Sequence, residues 1–443
     1  MASRSSKTAA TTQQQPGAAG AAAVMAQRGD LDSTMPRWSG FDTAWALGLF
    51  GTAVGAGILF LPINAGNGGL WPLLVVTLLI GPMTYLSHRA LSRMVCASPQ
   101  PNRDITEVVE DYFGAAAGRI ITVLYFASIF PIVLIYGVGI TNTVESLLIH
   151  QLGVTPWPRW LLAAVTIGIM SLAVVARQQV MLMVTEWVVY PLILALAAVT
   201  IYLIPQWSFA GLGEMPSPGT FTMSVWLIIP VLIFSFNHTP AISQFSMSLR
   251  RQYDQHATAK ASVILRRTAI ALLVFTMGFV WSCVLAIGPD GLQEARAANL
   301  PVLSYLANQM EAPFIAWLGP LVAITAITSS YFGHWLGAHE GAMSIVRRNF
   351  DPQQKRFGER TLHIAVTVFL VFTAWLAGVL NPGILDLIET LVGPIMALVL
   401  YIMPMYAIHK IPALEPYRGR LSNVFVTVMG LVALGAILLN LVY

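Results

Sequence analysis

Four polar residues cluster inside an apolar stretch. They are Ser235, Asn237, His238 and Thr239 of FSFNHTPAISQF, which runs from Phe234 to Phe245. Hydroxyls and a carboxamide both donate and accept hydrogen bonds, and an imidazole titrates near neutral pH. This set suits recognition of a small polar molecule. His238 alone supplies no acid–base pair and no metal ligand set, so the cluster does not read as an enzyme's. Its two expected roles are to gate protons or to hydrogen-bond an interrupted backbone. Pro240 follows at once, and proline removes a backbone donor and obstructs the preceding turn. A second stretch has the same character. GTAVGAGILFLP, Gly51 to Pro62, holds three glycines in its first seven residues. Each interior glycine costs a helix about 1 kcal/mol and an interior proline about 3 kcal/mol. Both stretches are predicted to be broken helices.

A break in an apolar helix exposes two kinds of backbone end. The amides of a half-helix N-terminus carry partial positive charge and suit a carboxylate. Half-helix C-termini and loose carbonyls suit an ammonium or a cation. An amino acid zwitterion needs both. Gly55, Ala56 and Gly57 are the predicted carboxylate contacts, and Thr52 and Ala53 are predicted to bind substrate beside them. Ser235, Phe236, Asn237, His238 and Thr239 are predicted to meet the ammonium and side chain. Tyr136 is placed to cover the ligand. Small polar groups at the second break favour a small hydroxylated substrate.

The elements that must position these residues are membrane helices. The 443 residues are 56% hydrophobic and 10% charged, with a mean hydropathy of +0.70, whereas a soluble domain carries about 25% charge. A span needs about 20 apolar residues. Eleven candidates lie near 43–64, 70–94, 119–148, 159–176, 180–204, 221–246, 267–288, 314–337, 362–380, 384–408 and 422–442. With the N-terminus in the cytoplasm, 22 of the 24 lysines and arginines fall on the cytoplasmic side, leaving Arg159 and Arg296 outside. That asymmetry supports eleven spans with the C-terminus on the periplasmic side.

The two breaks fall in spans one and six. Five spans is an odd number, so a five-span repeat is inverted. Paired breaks in inverted halves are a sequence signature of a transporter binding site, as in the leucine-transporter fold. The reading is therefore an all-α integral membrane protein with a 5+5 inverted repeat. Repeat one covers about 41–205, repeat two about 221–411, and an extra helix about 422–442.

The remaining sequence narrows the class. Residues 1–37 are rich in Ala, Gln and Gly and read as a disordered cytoplasmic tail. Cys96 and Cys283 read as inert thiols, not as a metal site or a disulfide. No GxxxxGK[ST] loop is present, which argues against a nucleotide-driven pump. No repeated filter loop suggests a channel. The expected partners are a small amino acid and the lipid bilayer, with no nucleic acid. Glu145 and Glu186 read as structural partners of nearby polar groups, and Glu389 as part of an external gate. His334, one turn from Ser330, lines a pathway or packs as a satisfied histidine. DITEVVEDYFG, residues 104–114, reads as a short interfacial helix.

Several motifs carry a family resemblance. GTAVGAGILFLPINAG, DITEVVEDYFG, ITNTVES, FSFNHTPAISQF, SYLAN, LNPGILDLIET and MPMYAIHKIPAL together resemble the bacterial hydroxy/aromatic amino acid permease family. The likeness covers residues 38 to 443 and leaves only the tail. The family belongs to the amino acid–polyamine–organocation superfamily and is similar to the leucine-transporter fold. The resemblance implies proton-coupled import of L-serine or L-threonine across the bacterial inner membrane, with no cofactor. Aromatic amino acids are the alternative, because the wider family carries them. One departure matters. Where relatives carry a lysine within KSF.GH.LG, this chain has AITSSYFGHWLG, with Ser329 at the lysine position. Sodium-coupled members of the superfold build a site from span-one carbonyls and a span-eight A-x-x-[ST]-S pattern. That likeness implies carbonyls from Gly51, Val54 and Ala326, with hydroxyls from Ser329 and Ser330. Hard cations take oxygen ligands, so the coupling ion is H+ or Na+.

Overall fold

Polar caps, glycines and prolines cut the apolar sequence into helices at defined places. The computed structural model describes residues 35–100, 102–176, 178–210, 213–310, 312–351, 353 and 356–442, with backbone alone for 175–189 and 437–442. Most of the predicted tail, residues 1–34, lies outside the described residues, as does the side chain of Glu186. Residues 39–443 form one compact unit.

Ser39 caps α1 (Gly40–Ala53) through a reciprocal pair of bonds with Asp42. The helix stops at Val54, whose dihedrals are extended. Gly55 is also extended, and α2 (Ala56–Gly66) restarts from it at a bend of 55°. After α3 (Leu70–Cys96), Asp104 caps the short α4 (Ile105–Phe113) in a capping box with Glu107. The long α5 (Ala115–Ser146) widens into a π-turn at Leu147–Gln151. Two further apolar helices follow, α6 (Arg159–Ala176) and α7 (Gln178–Leu203).

The second half repeats the device of a broken helix. α8 (Pro218–Ser235) ends at Phe236, and α9 (Thr239–Tyr253) begins after His238, with Pro240 in its first turn. Proline is tolerated there because a first-turn amide has no helical partner. α10 (Ala257–Leu272) continues through a π-turn at Leu273–Met277 into α11 (Gly278–Ala297), where Gly288 kinks the chain at φ 73°. The short α12 (Val302–Gln309) leads to α13 (Pro313–Asn349), a longer helix than the apolar window of 314–337 predicts. α14 (Glu359–Leu380) and α15 (Ile384–Lys410) follow, then α16 (Leu421–Val442). α15 carries two π-turns, Ile388–Val392 and Leu398–Ile402. Each lies just before a proline, Pro394 or Pro404, whose ring crowds the preceding turn.

Among the described residues, seven helices are long and apolar enough to cross a membrane, or eight with the bent α1–α2 pair counted as one. Three shorter apolar helices, Arg159–Val174, Tyr190–Gln206 and Leu421–Ala436, add to them. The outer faces carry large apolar side chains such as Leu78, Leu172, Leu194 and Leu380. Water would not favour such a surface, and lipid does. The two broken helices are threaded through the centre. All of α2 is buried, as is the end of α8 from Ile228 to Ser235. α5 and α13 pack along each other more extensively than any other pair. They frame the α1–α2 break from the other side.

Candidate functional site

The break between α1 and α2 leaves the amides at the start of α2 without a side-chain cap. Glycine is required at two positions here for close approach. A Cβ on Gly57 would lie 2.7 Å from Ser235 Cα, so the start of α2 rests directly on the end of α8. A Cβ on Gly55 would overlap Ser330 Oγ and lie 3.0 Å from the Tyr136 hydroxyl. Gly55 is thus held against α13 and α5, and Gly57 against α8.

Predicted residues from three elements meet at Gly55. The Tyr136 hydroxyl lies 2.6 Å from Ser330 Oγ. Ser330 Oγ donates to the Thr52 carbonyl at 3.3 Å, so Tyr136 donates in turn to Ser330. His334 Nδ1 donates to its own helix at Ser330 O, 2.9 Å away, with Tyr136 edge-on to its ring. The remaining hydroxyls are spent locally. Thr52 Oγ1 bonds Gly48 O, and Ser329 Oγ bonds Ala326 O. Gly51, Ala53, Val54, Ala56 and Ala326 are all buried beside these groups. Of the residues expected to hold a cation, Ser330 reaches the first break, at Thr52 O.

The second break is organised by its own side chains. Asn237 Oδ1 accepts the Thr239 amide at 3.0 Å and so supports the start of α9. His238 Nδ1 donates to the Phe236 carbonyl at 3.2 Å. The His238 amide donates to Nε2 of His88, on α3, at 3.2 Å. The two imidazoles stack with centroids 3.6 Å apart and planes 12° from parallel. Three buried polar atoms of this break have no partner among the described residues: Ser235 Oγ, His238 Nε2 and Thr239 Oγ1. Unpaired buried polar atoms are costly, and a bound polar ligand would satisfy them.

Charged groups hold both ends of the first broken helix. At the Gly66 end, Asn64 Nδ2 donates to Glu389 Oε1 at 2.8 Å. Arg296 grips Glu389 with two bonds of 3.1 Å and reaches Asp386 at 3.0 Å. Nearby, burial and the Glu294 carboxylate push the Tyr305 hydroxyl up to about 12, which keeps it protonated and donating to Glu294. At the Ser39 end, Lys260 Nζ lies 2.7 Å from Asp42, with both side chains almost wholly buried. The Tyr253 hydroxyl donates to the other Asp42 oxygen.

Glu389 pairs with Arg296 at 3.1 Å, and Glu145 is paired with Arg159 at 2.7 Å. Three groups went unforeseen. His88 lies in the charged end of α3, where a lone histidine before Arg89 reads as surface. Its signal was an ionisable group on an apolar helix. Lys260 counted only as one positive charge among many, and Asp42 lay just outside the first apolar window. Neither a period nor a motif pairs residues 218 positions apart.

The serine transporter SdaC of Escherichia coli K12 is 47% identical over 410 residues, 91% of this chain and 96% of its own length. The serine transporter SdaC of Shigella flexneri is 46% identical over the same shares. Among solved structures, MhsT in complex with L-phenylalanine superposes with a TM-score of 0.59 at 16% identity, covering 90% of this chain and 97% of that one. Mhp1, a nucleobase-cation-symport-1 family transporter in a closed conformation with bromovinylhydantoin bound, gives 0.55 at 15% identity and 90% of each chain. At such identities the likeness is one of fold alone. Residues 44–410 match the tryptophan/tyrosine permease family, and on that match and the 47% identity of a near-full-length relative, the chain belongs to that family.

Proposed function

We propose that this protein is a secondary transporter that carries L-serine, L-threonine or both into a bacterial cell by cation symport. The observation that carries this reading is the meeting of Gly57 with Ser235. It sets the open end of α2 beside Ser235, whose Oγ is one of three unpartnered polar atoms of the second break. A carboxylate at the α2 amides and an ammonium or hydroxyl at Ser235 and Thr239 would complete both sets of bonds. The close packing around Gly55 and Gly57 favours a small side chain over an aromatic one. The names of the SdaC relatives point the same way.

On this reading eleven helices cross the bacterial inner membrane as an inverted 5+5 repeat plus α16, with the N-terminus in the cytoplasm and the C-terminus in the periplasm. Arg296, Glu389 and Asn64 then form an outer gate, and Asp42, Lys260 and Tyr253 an inner one. H+ is the favoured coupling ion. The oxygen-lined alternative for Na+ would use the remaining lone pairs of Ser329 and Ser330, whose hydroxyl hydrogens are given to Ala326 O and Thr52 O.

Counterflow in proteoliposomes tests the reading. Labelled serine should exchange against internal unlabelled serine, and excess threonine should compete. Tryptophan competing while threonine does not would replace the substrate with an aromatic amino acid. Uphill uptake under a pH gradient without Na+ is expected, whereas a strict need for Na+ would move the coupling site to Gly51, Val54, Ala326, Ser329 and Ser330.

A further inference from the structure

The backbone amide that the second break frees at His238 is bonded to a titratable side chain. Its acceptor is Nε2 of His88. Nδ1 of the same ring lies 2.8 Å from Thr84 O. A carbonyl only accepts, so Nδ1 carries the hydrogen and Nε2 offers its lone pair. His88 is therefore neutral here, and its one basic nitrogen ties the start of α9 to α3, while Ser92 Oγ and Ser246 Oγ, 2.9 Å apart, join the same helices further along.

A proton on that nitrogen ends the bond. Imidazolium donates from both nitrogens and accepts at neither. The proton adds to Nε2, the His238 amide loses its acceptor, and no other bond breaks. The Asn237 carboxamide borders His88. Its oxygen, which already receives the Thr239 amide, has a second lone pair for the new N–H. Protonation therefore removes one of the contacts that set the start of α9, the bond from the His238 amide. The stacked rings, 3.6 Å apart, admit one positive charge, because a second would repel it at close range.

The break holds two basic nitrogens: a proton on His238 Nε2, unpartnered among the described residues, would break no bond, whereas one on His88 Nε2 releases the His238 amide. His238 faces it from α9, and Tyr401 of α15 approaches through Ser87. Neither α8 nor α2 contains an ionisable side chain. Lys260 of α10 is engaged by Asp42. Among the described residues, no carboxylate beside His88 competes for the proton.

We propose that His88 Nε2 binds the coupling proton, and that its protonation releases the His238 amide and frees α9 to move. This rests on the reading of the chain as an amino acid symporter and names the proton's site within it. Loss of the proton restores the bond and resets the break.

Reconstituted wild-type and His88→Gln proteins test the proposal in Na+-free vesicles containing pyranine. Glutamine can still accept from the His238 amide, but it does not take up a proton. Wild type should move protons with serine and accumulate serine under an inward pH gradient. His88→Gln should lose about tenfold or more of that accumulation and its proton signal, while counterflow falls by less than about threefold. Equal gradient-driven accumulation in wild type and His88→Gln overturns the proposal. So does wild-type counterflow without any proton movement. Should counterflow be lost in both His88→Gln and His88→Asn, His88 belongs to packing and the proposal is likewise overturned. Absence of counterflow in wild type with serine, threonine and tryptophan alike would instead sink the transporter reading itself.

Discussion

Gly57 and Ser235 join the two broken helices with no room between their backbones. A Cβ on Gly57 would come within 2.7 Å of Ser235 Cα and 2.9 Å of the Phe234 ring. Backbone atoms yield less readily than a flexible side chain, and overpacking of this kind costs about 1–3 kcal/mol. Gly57→Ala should push α2 away from α8 and lower serine affinity roughly tenfold or more, since 1.4 kcal/mol is a factor of ten. Scintillation proximity with labelled serine measures this. Wild-type affinity in Gly57→Ala would mean that the two breaks do not share a ligand.

Asn237 supports the start of α9 through its bond to the Thr239 amide. Loss of one such hydrogen bond costs about 1 kcal/mol, well short of unfolding a domain. Asn237→Ala should therefore yield folded protein that does not bind serine. Thermal unfolding and binding on the same preparation separate the two effects. Near-normal affinity would refute the placement of the substrate at the second break.

Tyr136, Ser330 and the Thr52 carbonyl form one chain of hydrogen bonds across three helices. Residues in one network show coupling energies of about 0.5–3 kcal/mol. Tyr136→Phe and Ser330→Ala should each slow transport, and the double variant should do little further harm. Ser329→Ala should be milder than Ser330→Ala, because Ser329 bonds only its own helix. Strictly additive losses in the transport rate would argue that the chain is not a unit.

Arg296 ties α11 to α15 through Glu389 and Asp386, and Asn64 of α2 joins the same carboxylate. The arginine is about one-third exposed, so each bond is screened and the assembly is held by geometry more than by charge. Arg296→Gln should weaken closure at the Gly66 end. Serine binding is expected to persist, with faster exchange of a label at a single cysteine placed near Asn64. An unchanged labelling rate counts against a gate at this end.

Lys260 and Asp42 are buried together. Removing one partner of a buried pair leaves an uncompensated charge and costs about 3–5 kcal/mol. Lys260→Met should lower the unfolding temperature strongly, and Asp42→Asn in the same chain should recover much of the loss. Detergent-solubilised protein followed by tryptophan fluorescence gives the comparison. A double variant no more stable than Lys260→Met would show that the pair does not act as a pair.

Local chemistry determined a good deal by itself. Closely spaced glycines, or polar residues before a proline, weaken a helix locally, so Gly51–Pro62 and Ser235–Pro240 announced their interruptions without any tertiary information. Composition announced the membrane, because a chain with one charge in ten residues cannot cover itself for water. The motifs announced the family. The tertiary structure decided which groups answer the breaks. His88 reaches the freed amide of His238 across 150 residues, Ser330 chooses Thr52 O, and Lys260 finds Asp42. Such pairings depend on how helices rotate and cross. A helix presents every side chain at some angle, and only packing selects the one that faces a partner.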